Sequence, residues 1–221
     1  MKYELIKTAD GSHSLYVKDL DEHYHSVHGA IQEGKHVFAS PLAPLLKERG
    51  TINILEIGLG TGLNVLLTYL EFLKNSTTIN YTALEAFPLD NNIISQLNYL
   101  ELLDAKQHQG FFNKIHESAW EQTVELDKNF NLHKIKNTLQ QVIFENQFDI
   151  IYFDAFGPRV QPEMWTEEIF TKIYAATKLN GFLVTYCAKG EVKRTLKKVG
   201  FTVETLPGPP GKREMVRAVR N

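Results

Sequence analysis

Three closely spaced glycines separate an apolar run from a segment with helical periodicity. Gly58, Gly60 and Gly62 follow the partly β-branched residues 52–57, and apolar residues at helical spacing continue to Leu73. This order predicts a buried strand, a glycine turn and a helix. Glycines allow a sharp turn and a close approach of the backbone to a ligand at the helix N-terminus. The stretch therefore predicts the opening unit of a nucleotide-binding α/β domain.

The spacing of these glycines indicates which nucleotide is bound. A dinucleotide-binding turn has the pattern G-x-G-x-x-G, whereas the third glycine here comes one residue earlier, which disfavours an NAD-linked reductase. Glu56 stands two positions before the first glycine. The combination resembles the first motif of class I S-adenosylmethionine (SAM) methyltransferases, in which the acid faces the amino-acid end of the ligand. A tight strand-to-helix turn without a ligand is the alternative.

A second acidic residue ends the next predicted strand. Residues 79–87 form an apolar run that contains Glu85, 23 residues after Gly62. A carboxylate at the carboxyl end of this strand can accept hydrogen bonds from both ribose hydroxyls of a nucleoside. We therefore predict that Glu85 binds ribose, although an isolated glutamate is more often a surface residue.

The most hydrophobic segment of the chain brings a third acid to the same edge. Residues 148–158 predict a central strand that ends near Asp154. Ligands of open α/β sheets bind outside the carboxyl ends of the strands. We therefore expect Asp154 and Phe156 to line the site beside the methyl donor. Asp154 either acts on the substrate, or only caps the following loop or binds SAM.

Composition limits the classes of protein that remain. The chain has 221 residues, of which 43% are hydrophobic and 23% charged, as in an ordinary soluble protein with a sizeable core. No apolar run approaches the roughly 20 residues that span a bilayer, and no secretory signal is visible, so we expect no membrane partner. The single cysteine, Cys187, excludes an internal disulfide and indicates the cytoplasm.

Histidines and cations are concentrated at opposite ends of the chain. Five of the eight histidines lie between His13 and His36, but their spacing is not that of metal ligands, so we predict hydrogen-bonding histidines and no metal site. From Lys189 to Arg220, nine lysines and arginines face three glutamates. This basic stretch either contacts a polyanion or forms a solvated surface, and charge alone does not decide between them.

The remaining segments predict an alternation of strands and helices. In the first half of the chain they are a β-hairpin in residues 1–20 with its turn at Asp10-Gly11, a helix at 41–49 and one or two helices in 88–103. A third strand at 130–137 is followed by a short helix at 138–145 and by a helix capped by Thr166. The chain then continues with a fifth strand after Asn180-Gly181, a helix at 189–199 and two last strands that flank the loop 207–212.

Several longer motifs together identify a family. The chain resembles the methyltransferase domain of MnmC and its stand-alone relatives, the tRNA (5-methylaminomethyl-2-thiouridine) methyltransferases. The resemblance covers nearly the whole chain. It is carried by YHSVHGAIQEGKHVF (24–38), EIGLGTGLN (56–64), LEAFPL (84–89), FDAFGPRVQPEMW (153–165) and GFTVETLPGPPGKREM (200–215).

The resemblance implies a fold and a domain organisation. We expect an α/β, Rossmann-like class I methyltransferase sheet, mostly parallel with an antiparallel last strand, and an N-terminal β-hairpin extension in residues 1–40. Residues 1–221 would form a single SAM-dependent domain. Because the chain ends at Asn221, we expect no FAD-dependent oxidase domain of the kind that bifunctional members carry.

The resemblance also implies an activity and a cofactor. SAM would donate a methyl group to the aminomethyl group of the wobble uridine in the tRNA anticodon stem-loop, with functional coupling to an enzyme that makes 5-aminomethyluridine. Cofactor contacts are implied for Glu56, Gly58, Gly60, Gly62, Asn64, Glu85, Asn137 and Asp154. Asn137 would contact adenine, although Lys136-Asn137 departs from the Gly-Asp that we associate with the family.

The same resemblance assigns roles toward the substrate. Asp154 would hydrogen-bond the amine, orient its lone pair and accept a proton. Phe156 would stack on the extruded base. Phosphate contacts are implied for Lys212, Arg213 and the basic helix that begins at Lys189. Tyr24, Gln32 and Lys35 would close the site from the N-terminal side.

Two other functions remain open from the sequence. One is a SAM methyltransferase that acts on a small amine or a protein side chain, and the other is a non-catalytic SAM-binding module. A steep loss of binding with salt would favour tRNA over a small substrate. SAM binding without methyl transfer to any cell fraction would favour the non-catalytic module.

Overall fold

The computed structural model describes residues 2–221 as two β-sheets with helices around the larger one. The small sheet contains three antiparallel strands, β1 Tyr3–Lys7, β2 His13–Val17 and β3 Glu22–His23. The large sheet contains eight strands, which are β4 Thr51–Ile57, β5 Thr78–Leu84, β6 Thr123–Asp127, β7 Phe130–Ile135, β8 Phe148–Phe153, β9 Thr177–Thr185, β10 Thr202–Pro207 and β11 Glu214–Val219.

Within residues 2–221, eight α-helices connect and cover these strands. They are α1 Ala30–Gly34, α2 Ser40–Glu48, α3 Leu63–Phe72, α4 Asn91–Ile94, α5 Tyr99–Leu102, α6 Gln109–Glu117, α7 Glu167–Ala176 and α8 Gly190–Lys198. One wide π-turn, Lys35–Ala39, joins α1 to α2. Within residues 2–221, every helix is too short or too polar to span a bilayer.

The strand order of the large sheet is β10-β11-β9-β8-β4-β5-β7-β6. Strands β7, β5, β4, β8 and β9 are parallel, and β11 lies antiparallel between β9 and β10. The predicted mostly parallel sheet with an antiparallel last strand is therefore confirmed. The N-terminal hairpin is also confirmed, and β3 extends it to three strands.

Strand β8 is central because both of its faces are covered. All six of its residues are buried. Ile150 and Tyr152 join the core formed with α1, α2, α3, α5 and α6, whereas Ile151 and Phe153 join the core formed with α7 and α8. Side chains alternate across a strand, and a parallel strand covered on both faces reads as one continuous hydrophobic run.

Three local predictions were wrong or incomplete. Residues 138–145 form a turn and irregular chain instead of a helix, and the Lys172 ammonium donates to the carbonyl groups of Leu139, Gln140 and Val142 that a helix would use internally. The edge strand β6 was not predicted, because its short polar sequence gives no strong strand signal. Strand β9 begins before the Asn180-Gly181 pair, which forms an irregularity within it.

A buried carboxylate joins the amino-end segments of the central strands. Asp149 in β8 is 3% exposed. It accepts hydrogen bonds from the backbone N–H of Asn53 at 2.8 Å and from Lys178 Nζ at 2.9 Å, and it forms an ion pair with Arg49. The carboxylate thus connects the start of β8 to β4, to β9 and to the end of α2.

We predict that Asp149→Ala lowers the free energy of unfolding by about 2–4 kcal/mol. This is somewhat less than the roughly 3–5 kcal/mol for breaking a fully buried pair, because both cations reach solvent. Urea denaturation measures the change. Glu4→Ala, which removes the exposed Lys18–Glu4 pair, should cost less than about 1 kcal/mol. Equal losses in the two variants would contradict the structural role of Asp149.

Candidate active site

A large cavity lies at the carboxyl ends of β4, β5 and β8. Its volume is about 750 Å³, within the range of roughly 300–1,000 Å³ that small-molecule sites occupy. The glycine loop forms its floor, and residues 22–27 of the N-terminal segment and residues 137–141 form two of its walls. The cavity therefore lies where open α/β sheets bind their ligands.

The glycine loop is held in place by Glu85. The Glu85 carboxylate accepts the backbone N–H of Gly60 at 3.0 Å and that of Phe87 at 2.8 Å. Gly60 has a φ of 49°, and a Cβ atom there would lie 3.1 Å from the ring of Tyr24. Only glycine fits without strain at this point of contact. The loop thus keeps a bare backbone against the cavity.

Two carboxyl groups share one amide behind this loop. The Asn64 amide nitrogen donates to Glu56 Oε1 at 3.0 Å and to Asp154 Oδ2 at 2.8 Å. Glu56 is fully buried, and its Oε2 has no hydrogen-bond partner among the described residues. Burial raises the pKa of Glu56 well above its ordinary value, which favours the protonated form.

Asp154 is the carboxyl group of this pair that lines the cavity. Burial and the negative charge of Glu33 raise its pKa to about 7, against the opposing effects of the Asn64 hydrogen bond and of Lys212. A carboxyl group with this pKa exchanges its proton near neutral pH. Asp154 can therefore serve as a hydrogen-bond acceptor or as a base.

Aromatic rings form the wall beside Asp154. The rings of Tyr24 and Phe156 meet edge to face with centroids 5.3 Å apart. The Trp165 indole N–H donates to the Phe156 carbonyl at 2.8 Å, and the Tyr186 hydroxyl donates to the Ala155 carbonyl at 2.8 Å. These bonds fix the loop after β8. The wall provides flat apolar surfaces that can bind a planar ring.

The comparisons with known proteins agree with this geometry. A family model described as S-adenosyl-L-methionine-dependent methyltransferase matches residues 99–221, more than half of the chain. The chain belongs to this family. SAM is the cofactor that the family uses.

Individual relatives extend the similarity to most of the methyltransferase chain. This chain is 28% identical over 210 residues to the "tRNA 5-methylaminomethyl-2-thiouridine biosynthesis bifunctional protein MnmC" of Campylobacter hominis. The similarity covers 94% of this chain and 31% of that relative. The protein of the same name from Magnetococcus marinus is 30% identical over 218 residues, covering 90% of this chain and 31% of the relative. The methyltransferase thus spans about a third of the length of these relatives.

A solved structure shows the same fold. The crystal structure of MNMC2 from Aquifex aeolicus superimposes with a TM-score of 0.80 and 23% sequence identity, covering 98% of this methyltransferase and 69% of that chain. The predicted fold class and the resemblance to MnmC methyltransferase domains are confirmed.

The cavity of this methyltransferase fits SAM on three observations. It is large enough for a nucleoside with an amino-acid tail, its floor is bare glycine backbone, and an unpartnered buried oxygen of Glu56 lies behind it. Glu85 lies at the carboxyl end of β5, where a ribose would bind, and Asn137 lines the wall beyond it. The Asn137 side-chain oxygen accepts its neighbour's backbone N–H at 2.8 Å.

The structure brings most of the predicted site residues together. Those that line the cavity are Tyr24, Gly58, Gly60, Asn64, Glu85, Asn137, Asp154, Phe156 and Lys212. Glu56 lies beneath it. Gly62 directly precedes α3, and a Cβ atom there would lie 2.9 Å from His116 of α6, so this glycine permits close packing against α6. Lys35, Lys189 and Arg213 are exposed and do not line the cavity.

Sequence reasoning missed two residues of the site. Glu33 lies in α1, is only 6% exposed and lines the cavity, whereas its predicted neighbours Gln32 and Lys35 face away. No spacing rule distinguishes Glu33 from a surface acid. Tyr186 follows β9 directly, so its position at the carboxyl end of a strand could have indicated it.

We predict that Glu85→Ala weakens SAM binding by about 1.5–3 kcal/mol, the range for hydrogen bonds to a charged group. The variant also frees the Gly60 N–H that organises the loop. Isothermal titration with SAM measures the effect. Glu101→Ala, which removes an exposed carboxylate of α5, should bind SAM like the parent protein. Unchanged affinity in Glu85→Ala would remove this residue from the site.

We also predict that Asp154→Asn stabilises the fold at alkaline pH. Because the pKa of Asp154 is about 7 in the folded protein and its ordinary value is 3.8, the folded state binds a proton between these pH values that the unfolded chain lacks. The stability that this bound proton contributes is therefore lost as pH rises through about 7. Denaturant titrations at about pH 4 and pH 8 should show the advantage of the variant growing with pH. A constant difference would contradict this.

Proposed function

We propose that this methyltransferase transfers a methyl group to the primary amine of the 5-aminomethyl group on the wobble (2-thio)uridine of tRNA. The product would be 5-methylaminomethyl-(2-thio)uridine. Support comes from relatives named for the biosynthesis of this nucleoside, which are 28–30% identical over about nine-tenths of the chain. SAM supplies an electrophilic methyl group on a sulfonium when it is bound.

The observation that carries this proposal is the position of Asp154. An alkylamine has a pKa near that of lysine, about 10, and is mostly protonated at neutral pH. Its nitrogen can accept a methyl group only as the free base, with the lone pair in line with the bond that breaks. Asp154 lines the cavity and has a pKa of about 7, so it can accept a hydrogen bond from the amine and take its proton.

The aromatic wall supplies the second requirement, which is alignment. Phe156 and Tyr24 present ring surfaces beside Asp154, and unpaired loop bases of RNA are commonly held on such surfaces. A stacked uridine would carry its aminomethyl group toward the carboxylate. Fixing both reactants in this way removes much of the entropic barrier and excludes water.

The basic C-terminal stretch contributes less free charge than its composition suggests. Lys193, Lys198 and Arg217 pair with the glutamates Glu214, Glu167 and Glu204. Arg194, Lys197 and Arg213 have no carboxylate within 4 Å among the described residues and would contact tRNA phosphates together with Lys189. Because so many of these cations are paired, a small amine or a protein side chain is the alternative acceptor.

The proposed acceptor also implies a partner reaction. A separate enzyme activity must make the 5-aminomethyluridine in the anticodon stem-loop before methylation, and we place both steps in the cytoplasm.

We predict that the protein methylates tRNA from cells that lack it. Labelled SAM and bulk tRNA, followed by nucleoside analysis, should show 5-methylaminomethyl-(2-thio)uridine, and activity should fall steeply between about 50 and 200 mM salt. Asp154→Asn should bind SAM within a few fold of the parent and lose turnover. Asp127→Asn alters a hydrogen-bonded carboxylate of β6 outside the cavity and should remain active. Methylation of free amines but not of tRNA would favour the alternative.

A further inference from the structure

Lys212 is the only lysine or arginine among the described residues that line the cavity. Its ammonium group forms an ion pair with Glu33 and lies 3.8 Å from the centroid of the Tyr186 ring. It makes no hydrogen bond to Asp154, whose only side-chain donor among the described residues is Asn64. The one cation of the site is thus held to one side of its reactive carboxylate.

Glu33 and Tyr186 are both fixed by other contacts. The second carboxylate oxygen of Glu33 accepts the backbone N–H of Ser26 at 2.8 Å. The Tyr186 hydroxyl donates to the Ala155 carbonyl at 2.8 Å, which holds the ring beside the loop that carries Asp154. Lysine has a flexible four-carbon stem, so two fixed partners decide where its ammonium group lies.

We propose that Glu33 is a positioning residue, which holds the Lys212 ammonium against Tyr186 and away from Asp154 so that Asp154 stays free for the amine of the substrate. The inference rests on the proposed role of Asp154 in methyl transfer. A Lys212–Asp154 pair would form charge-assisted hydrogen bonds with the oxygen that the amine needs. Glu33 prevents this competition from within the protein.

The charges around Asp154 agree with this arrangement. Glu33 of α1 raises the pKa of Asp154, and Lys212 of the β10–β11 loop lowers it. Glu56 of β4 and the tyrosines Tyr81 of β5 and Tyr186 also face it, and their own pKa values are raised, which keeps them uncharged. The balance at Asp154 therefore depends on the distances of Glu33 and Lys212.

A double-mutant comparison tests the proposal. The variants are Glu33→Gln, Lys212→Met and the combination of both. Lys74→Met and Glu71→Gln are matched controls, because they break an ion pair of 2.8 Å at the end of α3, outside the cavity. Two quantities are measured: the pH dependence of kcat/KM for methylation of tRNA, and the titration of the Asp154 carboxyl carbon by 13C NMR, with Asp154→Asn giving the assignment.

We expect the single variants to shift in opposite directions. Glu33→Gln removes a negative charge near Asp154 and releases Lys212 to pair with it. The midpoint of the Asp154 titration and the acid limb of the pH profile should therefore move down by about one to three pH units, and kcat/KM should fall about tenfold or more. In Lys212→Met the Asp154 titration and the acid limb of the pH profile should both move to higher pH. Adding Lys212→Met to Glu33→Gln should restore kcat/KM to within about threefold of Lys212→Met alone, because no cation remains to be held.

Other results would overturn the proposal. They are an unchanged or raised Asp154 titration in Glu33→Gln, or a defect that the second substitution does not relieve. Should Glu33→Gln fail to fold, Tyr186→Leu removes the other holding contact and should shift the titration in the same direction. If the parent protein does not methylate tRNA, the proposed function fails, and the NMR titration still decides the role of Glu33.

Discussion

The site depends on a single amide that donates to two carboxyl groups. Asn64 connects Glu56 at the end of β4 to Asp154 at the end of β8, and it stands in the first turn of α3. Two buried carboxylates cannot both be charged at low cost, so burial drives one toward its neutral form and leaves the other to titrate near neutrality. The fold thus shields the Asp154 carboxylate from water, and its proposed role as hydrogen-bond acceptor and base follows from this burial.

The two ends of the chain close around this carboxylate. Helix α1 packs so tightly against α3 that a Cβ atom at Gly34 would lie 2.7 Å from Leu67. The His36 ring is 2.8 Å from the Pro207 carbonyl, so the π-turn contacts the start of the β10–β11 loop. These contacts bring Glu33 and Lys212, 179 residues apart, into one ion pair. The N-terminal segment therefore completes the active site as well as forming the small sheet.

Much of the fold and much of the site follow from local sequence patterns. Glu85 and Asp154 could be predicted because each ends an apolar run, and the topology of parallel sheets brings such ends to one edge. Glu33 could not, because only the docking of α1 onto the C-terminal loop distinguishes it from a solvated glutamate. The family resemblance implied that Lys212 contacts phosphate, whereas the structure places it inside the cavity. Tertiary contacts also decide the conformation of residues 138–145. Carbonyl groups in this segment accept hydrogen bonds from Lys172, and the segment does not form a helix.

The proposed reaction requires the ribose end and the reactive end of SAM to lie over the glycine loop between Glu85 and Asp154. A crystal structure with S-adenosylhomocysteine and 5-aminomethyluridine tests it most directly. We expect the ribose hydroxyls to bind Glu85, the aminomethyl nitrogen to lie within hydrogen-bond distance of Asp154, and Lys212 to remain paired with Glu33. A nucleoside bound elsewhere, or an amine that contacts Lys212 or Glu33 and leaves Asp154 unpaired, would contradict it.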